Sequence, residues 1–241
     1  EGVVPLCPRF DTVGPLCRSL EDAGLLLAAL EGGTPADLTG ASLSGLRFLA
    51  LEGAPLVDAE PQVIQAYDGA VELLSAAGAT VDSRPLADVD RGLDLSPLVF
   101  ASEAYGIWKD AIEANPEAMF HQVRERFRGG AAVSAPEYIA AWRQIEAHRA
   151  AYLAATAGYD AVILPTCPIL PPNVDRLNTD NAYFIHANLM ALRNTRVANL
   201  LGLCALTLPL SVASTGLMLM GAPGSEARLL RIGAAVEGAL A

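Results

Sequence analysis

The amino-acid sequence predicts an α/β fold in which a mixed β-sheet is flanked by helices on both sides. Short apolar runs alternate along the chain with longer segments whose apolar residues recur at helical spacing. The first two runs, residues 47–51 and 79–83, are joined by one helical segment, 61–77. Such a strand–helix–strand unit places its two strands parallel in one sheet. An apolar fraction of 52% suits helices that pack on a sheet.

Helix signals place the elements of the first two thirds of the chain. Ser19 is a favourable N-cap, and Gly32 and Gly33 end the helix that follows it. Gly78 ends the helix over 61–77 in the same way. Three helical segments follow, separated by Asn115–Pro116 and by Gly129–Gly130: 97–114, 116–127 and 135–155. We expect these three to form a separate layer over one side of the sheet.

The last third of the chain predicts three strands and two helices. Residues 160–165 are an apolar run that ends in proline, and 168–181 is rich in Pro, Asn and Asp, which is typical of a loop. The remaining elements are a helix capped by Thr179 or Asp180 that runs to Leu203, strands over 205–210 and 216–221, and a closing helix over 225–240. Because no repeat, linker or charge run divides the chain, we expect one domain over residues 1–241.

The charge of the chain argues against nucleic acid and membrane surfaces as partners. The net charge is −11, whereas phosphate groups are bound by clustered Lys and Arg. The nearest basic cluster, Arg124, Arg126 and Arg128, is interleaved with Glu125, and we interpret it as a solvated helix face. No apolar stretch approaches the roughly 20 residues that a membrane-spanning helix needs.

The cysteine and histidine residues do not predict a metal, a cofactor or a nucleophile. Cys7, Cys17, Cys167 and Cys204 show no CxxC spacing, which favours buried thiols of a cytoplasmic protein. The histidines are scattered over predicted helices with no metal-ligand spacing, at His121, His148 and His186. Cys167 follows a strand, but no histidine is placed by a motif to act as its base.

Three segments carry a resemblance to a known family. They are the Asp11–Pro15 stretch with the helix that follows it, the Tyr159–Pro168 strand and loop, and the Asn199–Pro209 segment. In this order and at this spacing they resemble the C-terminal half of the amidase signature family of serine amidohydrolases. Their Gly and Pro residues shape turns and strand ends, so a scaffold role is the default interpretation of the individual residues.

The resemblance implies chemistry whose groups are not present in this sequence. The family uses a Ser–Ser–Lys triad upstream of the Asp-Thr-x-Gly-Pro stretch. Here Lys109 is the only lysine, it lies beside Asp110 in a predicted helix, and no two serines are adjacent. We therefore assign no catalytic residue, and we expect the catalytic N-terminal part to lie outside the chain and the chain alone to be inactive. The implied reaction is hydrolysis of a carbon–nitrogen amide bond through a serine acyl-enzyme, without a cofactor.

As the C-terminal half of such an enzyme, this chain can supply the wall of a substrate pocket. A guanidinium near an apolar pocket would select a carboxylate-bearing or polar acyl group, and two arginines three residues apart in one helix share a face. Ordinary scaffold is the alternative for every member of the proposed set. The substrate-binding residues we predict are Asp11, Thr12, Ser102, Glu103, Tyr105, Trp108, Arg193, Thr195 and Arg196.

Two other functions stay open. The A subunits of glutamine-dependent tRNA amidotransferases carry an acid in the helix before the Asn199 segment, where it binds the amino group of glutamine. Residues 191–196 contain no acid, which favours a free-standing amidase. A non-catalytic fragment that acts as a structural or binding module is the third interpretation. The partner implied is a small-molecule amide substrate rather than nucleic acid or membrane, and a homodimer stays open.

Overall fold

The computed structural model describes residues 2–241 and contains one mixed β-sheet. Its strands are β1 (Arg47–Glu52), β2 (Thr80–Pro85), β3 (Ala161–Pro165), β4 (Cys204–Pro209) and β5 (Gly216–Gly221). Their order across the sheet is β2-β1-β3-β5-β4. β1 pairs parallel with β2 and β3, whereas β5 pairs antiparallel with β3 and β4. The predicted mixed sheet, with all five predicted strands, is confirmed.

Nine α-helices are present in the described chain. They are α1 (Leu20–Glu31), α2 (Pro61–Ala76), α3 (Ala87–Ala114), α4 (His121–Arg128), α5 (Ala135–Thr156), α6 (Val174–Thr179), α7 (Asn181–Arg193), α8 (Thr195–Leu201) and α9 (Glu226–Leu240). Local chemistry sets their ends. The Ser19 side chain accepts the Asp22 N–H at the start of α1, and Gly32 ends that helix in the left-handed conformation. Within residues 2–241, none of these helices combines the length and apolar character that a membrane crossing requires.

Alternate side chains of the strands bury the two faces of the sheet against different helices. Phe48 and Ile163 pack on one face in a core that includes residues of α1, α2 and α9. Their neighbours Leu49 and Val162 pack on the other face with residues of α3, α5 and α8. This is the alternation that a pleated strand imposes, and it confirms that helices flank the sheet on both sides.

The N-terminal segment packs on the outside of the second helical layer. The Phe10 ring stacks on Trp142 of α5 with ring centroids 5.0 Å apart, and lies 4.3 Å from the ring of Phe100 of α3. The Asn199 side chain of α8 donates to the Phe10 carbonyl at 2.8 Å. The segment therefore joins α3, α5 and α8 into one layer. Two of the three helical segments predicted for this layer, α3 and α5, belong to it, and α8 was not predicted there.

Several predicted boundaries were wrong, and burial explains most of them. α3 begins at Ala87 rather than Pro97, because Val89 is buried against the sheet and the helix continues through the proline. Residues 116–127 split into a short 3₁₀ turn and α4, and the predicted loop contains α6, which the Asn173 side chain caps. The predicted helix to Leu203 is broken into α7 and α8 at Asn194.

A backbone contact at Gly130 fixes the loop that joins α4 to α5. A Cβ atom at this position would lie 2.1 Å from the Ala101 carbonyl oxygen and 2.9 Å from Cα of Ser102, both in α3. At Gly129 a Cβ atom would meet nothing within 4 Å. Only the second of two adjacent glycines is therefore required for packing.

We expect Gly130→Ala to lower the free energy of unfolding by roughly 2–4 kcal/mol, because backbone atoms cannot move aside for the added methyl group. Gly129→Ala is the matched control, and should leave that free energy unchanged or raise it by about 0.5 kcal/mol. Urea denaturation of the two variants and the wild type measures the difference. Equal stabilities of the two variants would contradict the contact.

Candidate functional site

The buried carboxamide of Asn194 connects the ends of two parallel strands. Asn194 is fully buried, and its Nδ2 donates to the carbonyl of Pro165 at 2.7 Å and to that of Pro55 at 3.1 Å. Pro165 is the last residue of β3, and Pro55 lies in the loop after β1. The junction between α7 and α8 is thus held against the carboxyl ends of the central strands, where α/β folds commonly form their ligand sites.

The Arg193 side chain makes its contacts at the same junction between α7 and α8. Its Nη2 donates to the Pro55 carbonyl at 3.0 Å, and its Nη1 lies 3.4 Å from the sulfur of Met190. Burial lowers the pKa of Arg193, and the nearby charge of Asp58 acts in the opposite direction. This guanidinium supports the loop after β1, and most of its donors are already directed at protein atoms.

Arg196 is half-buried and makes no hydrogen bond or ion pair with any of residues 2–241. Burial lowers the pKa of Arg196, and the like charge of Arg126 lowers it further. Arg126 belongs to α4, and its guanidinium is held by the side-chain oxygen of Asn188 on α7. Within the described chain, neither guanidinium has a carboxylate within ion-pair distance. Two neighbouring cations with no ion-paired carboxylate are a candidate site for an anionic ligand.

A cleft of about 410 Å³ lies between α3 and the start of α5. Glu103 is at its wall, where its carboxylate accepts the Tyr138 hydroxyl at 2.6 Å and lies 3.7 Å from Nε of Arg9. Burial and this hydrogen bond raise the pKa of Tyr138. The cleft is lined by Ser102, Glu103, Tyr105, Gly106, Gly130, Val133, Ser134, Ala135 and Tyr138.

Comparison with known proteins identifies the family. The family model described as Amidase matches residues 1–230. The chain belongs to the amidase signature family. It is 33% identical, over 98% of its length, to a 2-amino-5-chloromuconic acid deaminase of Comamonas testosteroni, of which it covers 53%. It is 27% identical, again over 98% of its length, to the A subunit of a glutamyl-tRNA(Gln) amidotransferase from Acidobacterium capsulatum, of which it covers 57%.

Solved structures of the amidase signature family share the fold. A crystal structure of an amidase superimposes with a TM-score of 0.83 at 27% identity, over all of this chain and 56% of the amidase. The chain spans about half the length of the curated relatives it matches. Family membership confirms the resemblance seen in the sequence.

The structure groups the predicted site residues of this amidase-family chain into two places. Ser102, Glu103 and Tyr105 line the cleft, although the Ser102 hydroxyl donates to Leu98 of its own helix at 2.7 Å and that of Tyr105 donates to Glu113 at 3.3 Å. Arg193, Thr195 and Arg196 lie at the α7–α8 junction. Their roles in substrate binding stay predictions.

Three predicted residues lie away from both places. The Asp11 carboxylate accepts the N–H groups of Leu6 and Cys7 at 2.9 and 3.1 Å, so it shapes the N-terminal turn. Thr12 is exposed and makes no side-chain hydrogen bond with residues 2–241. The Trp108 indole N–H donates to the Pro5 carbonyl at 2.8 Å, outside the cleft.

Sequence reasoning missed Asn194 and Arg126. The interpretation of the arginine cluster as a solvated face was wrong for Arg124, which is 7% exposed and donates to the Pro116 carbonyl and to Glu117. A half-buried cluster was not expected because the intervening Glu125 suggested a surface pattern. An asparagine in the middle of a predicted helix was the one available signal for the junction.

Lys109 and the four cysteines, none of which we assigned a catalytic role, are in ordinary surroundings; the Cys167 thiol, for example, donates to the Ala191 carbonyl at 3.6 Å. Lys109 is exposed on α3. Cys7 is buried, and burial followed by the charges of Glu103 and Asp11 raises its pKa to about 12, whereas Cys17 is exposed, contrary to the prediction that all four thiols are buried. In residues 2–241 no three His, Cys, Asp or Glu side chains come together in a way that could hold a metal ion.

We expect Asn194→Asp to destabilise the fold by roughly 3 kcal/mol or more at pH 8, because a buried carboxylate would face two carbonyl oxygens. That environment raises the folded-state pKa of the new carboxyl above its unfolded value of about 3.9. The destabilisation should therefore be smallest below about pH 4 and should grow as the pH rises through the raised pKa.

Urea denaturation between pH 4 and pH 8 tests this expectation. Thr195→Ala is the neighbouring control, because the Thr195 hydroxyl is exposed and donates only to the Leu192 carbonyl. If Asn194→Asp were as stable as the wild type at pH 8, the hydrogen bonds from the Asn194 side chain to Pro55 and Pro165 would be dispensable.

Proposed function

We propose that the protein to which this chain belongs hydrolyses a carbon–nitrogen bond of a small-molecule amide through a serine acyl-enzyme. The match of the family model over residues 1–230 carries the proposal. We further propose that the Ser–Ser–Lys triad lies outside these 241 residues and that the chain alone is inactive. A serine needs a neighbouring base to become a nucleophile, and the only lysine of this chain is exposed on α3 with no adjacent pair of serines to activate.

The role proposed for this half is to position the substrate. The α7–α8 junction supplies a free cationic group, Arg196, beside buried backbone that Asn194 holds rigid. A rigid support matters because a displacement of about 1 Å at a reacting carbonyl can cost a factor of 100 in rate. The cleft walled by Glu103 and Tyr138 is a second surface that a substrate could contact.

The acyl group that fits the junction is anionic. Arg196 and Arg126 lack a carboxylate partner within residues 2–241, and a substrate carboxylate would supply one. The 33%-identical relative is named as a deaminase of a carboxylic acid, 2-amino-5-chloromuconic acid, which supports an acidic substrate here. Leu192, in the stretch where the A subunits of amidotransferases carry an acid, is apolar and exposed, so glutamine recognition is less favoured.

A serine-directed fluorophosphonate tests the reaction class. We expect the protein encoded by the intact gene to be labelled on one serine outside residues 1–241, with loss of amide hydrolysis, and the isolated 241-residue chain to stay unlabelled. Mass spectrometry of peptides from the labelled protein identifies the serine. Label on any serine of the present chain, or amide hydrolysis by this chain alone, would overturn the proposal that the triad lies outside it.

Lys109→Met is the matched control in the same protein. Because Lys109 is exposed and this chain holds no adjacent serine pair for it to activate, the variant should keep labelling and turnover within a few-fold of wild type. A drop of three orders of magnitude would make Lys109 the base.

We expect Arg196→Ala to raise KM by roughly 10-fold or more for carboxylate-bearing amides, while kcat changes by less than about 3-fold. The reason is that the proposed bond between Arg196 and the substrate carboxylate stabilises the bound substrate and the transition state equally. The measurement pairs each acidic amide with a neutral counterpart, succinamate with butyramide among them. Arg196→Lys, which keeps the charge, should give a smaller rise. Equal effects on acidic and neutral amides would refute a carboxylate site.

A further inference from the structure

The outer face of α7 is apolar. Ile185, Leu189 and Leu192 are 44%, 44% and 39% exposed. They are spaced by four and three residues, so they share one face of the helix. Ala187 and Met190 are buried on the opposite face. An apolar stripe therefore runs along the outside of α7 toward the α7–α8 junction, and within residues 2–241 it stays partly open to solvent.

Arg196 continues this stripe on the other side of the junction. Asn194 has a φ of −73° and a ψ of −38°, which are helical values, so the chain keeps its helical winding between α7 and α8. Arg196 follows Leu192 by four residues, and side chains at this spacing lie about 5–6 Å apart on a helix surface. The line of apolar side chains thus ends at a guanidinium.

The charge at the end of the stripe is available to a ligand. Arg196 is half-buried, and no carboxylate of residues 2–241 is ion-paired with it. The charged group that acts on it is Arg126, a second cation. A ligand that complements this surface therefore carries an anionic group for Arg196 and, about one helical turn away, an apolar segment for Leu192.

We propose that Leu192 determines substrate specificity by packing against an unbranched hydrocarbon segment of an acyl group whose carboxylate binds Arg196. The substrate class is then the monoamides of dicarboxylic acids with a spacer of about four methylene groups, adipamate for example, since such a spacer covers one helical turn. A shorter acid such as succinamate reaches Arg196 but leaves Leu192 uncovered. The inference rests on the proposed function, because it takes Arg196 as the carboxylate site of the amide substrate.

Binding of butyrate and hexanoate tests the inference without turnover. These monocarboxylates differ by two methylene groups, and their dissociation constants are measured by isothermal titration calorimetry on the protein encoded by the intact gene. Each methylene group that packs on Leu192 should tighten binding roughly 2- to 4-fold, so the wild type should prefer hexanoate roughly 4- to 16-fold. Equal dissociation constants, or no binding of either acid, would overturn the inference.

Two substitutions of Leu192 separate the apolar contact from the charge. Leu192→Asn removes the apolar contact, so the preference for hexanoate should fall below about 2-fold while butyrate still binds. Leu192→Asp places a carboxylate one turn before Arg196, where it pairs with the guanidinium and repels the ligand, so both acids should bind roughly 3- to 10-fold more weakly. A preference for hexanoate that survives in Leu192→Asn would show that Leu192 does not set specificity.

Ile185→Asp is the matched control. Ile185 is about as exposed as Leu192 on the same face, but it lies about three helical turns, or roughly 16 Å, before Arg196. Because exposed charges more than about 10 Å apart are largely screened, both acids should bind this variant as they bind the wild type. Weakening equal to that in Leu192→Asp would overturn the local contact. If protein covers the stripe instead, Leu192→Asn and Ile185→Asp will both lower the melting temperature and leave the hexanoate preference unchanged, which also overturns the inference.

Turnover of adipamate and succinamate separates this inference from the proposed function. If neither amide is hydrolysed but hexanoate binding depends on Leu192 as expected, the reaction is wrong and the surface for an apolar acid stands. If both amides are hydrolysed and Leu192→Asn leaves the ratio of their kcat/KM values unchanged, the reaction stands and the role of Leu192 is wrong.

Discussion

The carboxamide of Asn194 is the interaction on which the arrangement of the candidate site depends. It donates to one carbonyl at the end of β3 and to one in the loop after the parallel strand β1, and it does so in a fully buried position. In a low-dielectric interior such bonds are stronger, and their loss is costlier, than at the surface. At this residue the helical segment before β4 is divided into α7 and α8, and the arginines on either side of it are in different surroundings. Arg193 supports the loop after β1, and Arg196 is left with its donors unpaired within residues 2–241.

Elements with strong local signals were predictable from the sequence. The strands over 47–51, 160–165 and 216–221 are apolar runs that all entered the sheet, and α1 begins at Ser19 and ends at Gly32 as its capping residues indicate. Pro97 was misleading, because burial of the preceding turns outweighed the preference of proline for a first helical position.

The site was less predictable because its partners are distant in sequence. Glu103 and its hydrogen-bond partner Tyr138 are 35 residues apart in the sequence. The carbonyl groups bound by Asn194, those of Pro165 and Pro55, are 29 and 139 residues away from it. The difference between Arg193 and Arg196 depends on which of them reaches the Pro55 carbonyl, and helical periodicity places both on one face. Only the three-dimensional structure separates a supporting guanidinium from a free one. Asp58 is close enough to act on Arg193, whereas Arg196 has only the like charge of Arg126 beside it.

The contact between Gly130 and the backbone of α3 has a consequence for how this protein could evolve. Gly130 is a wall residue of the cleft, and its Cα lies so near Ala101 that no side chain fits between them. The separation of the two walls is therefore fixed by main-chain atoms at this point. If the cleft contacts the substrate as proposed, variation in substrate preference has to come from side chains further along its rim, such as Val133 and Tyr105, rather than from a loop that moves outward. Libraries for altered specificity should accordingly hold the glycine constant and randomise those rim positions.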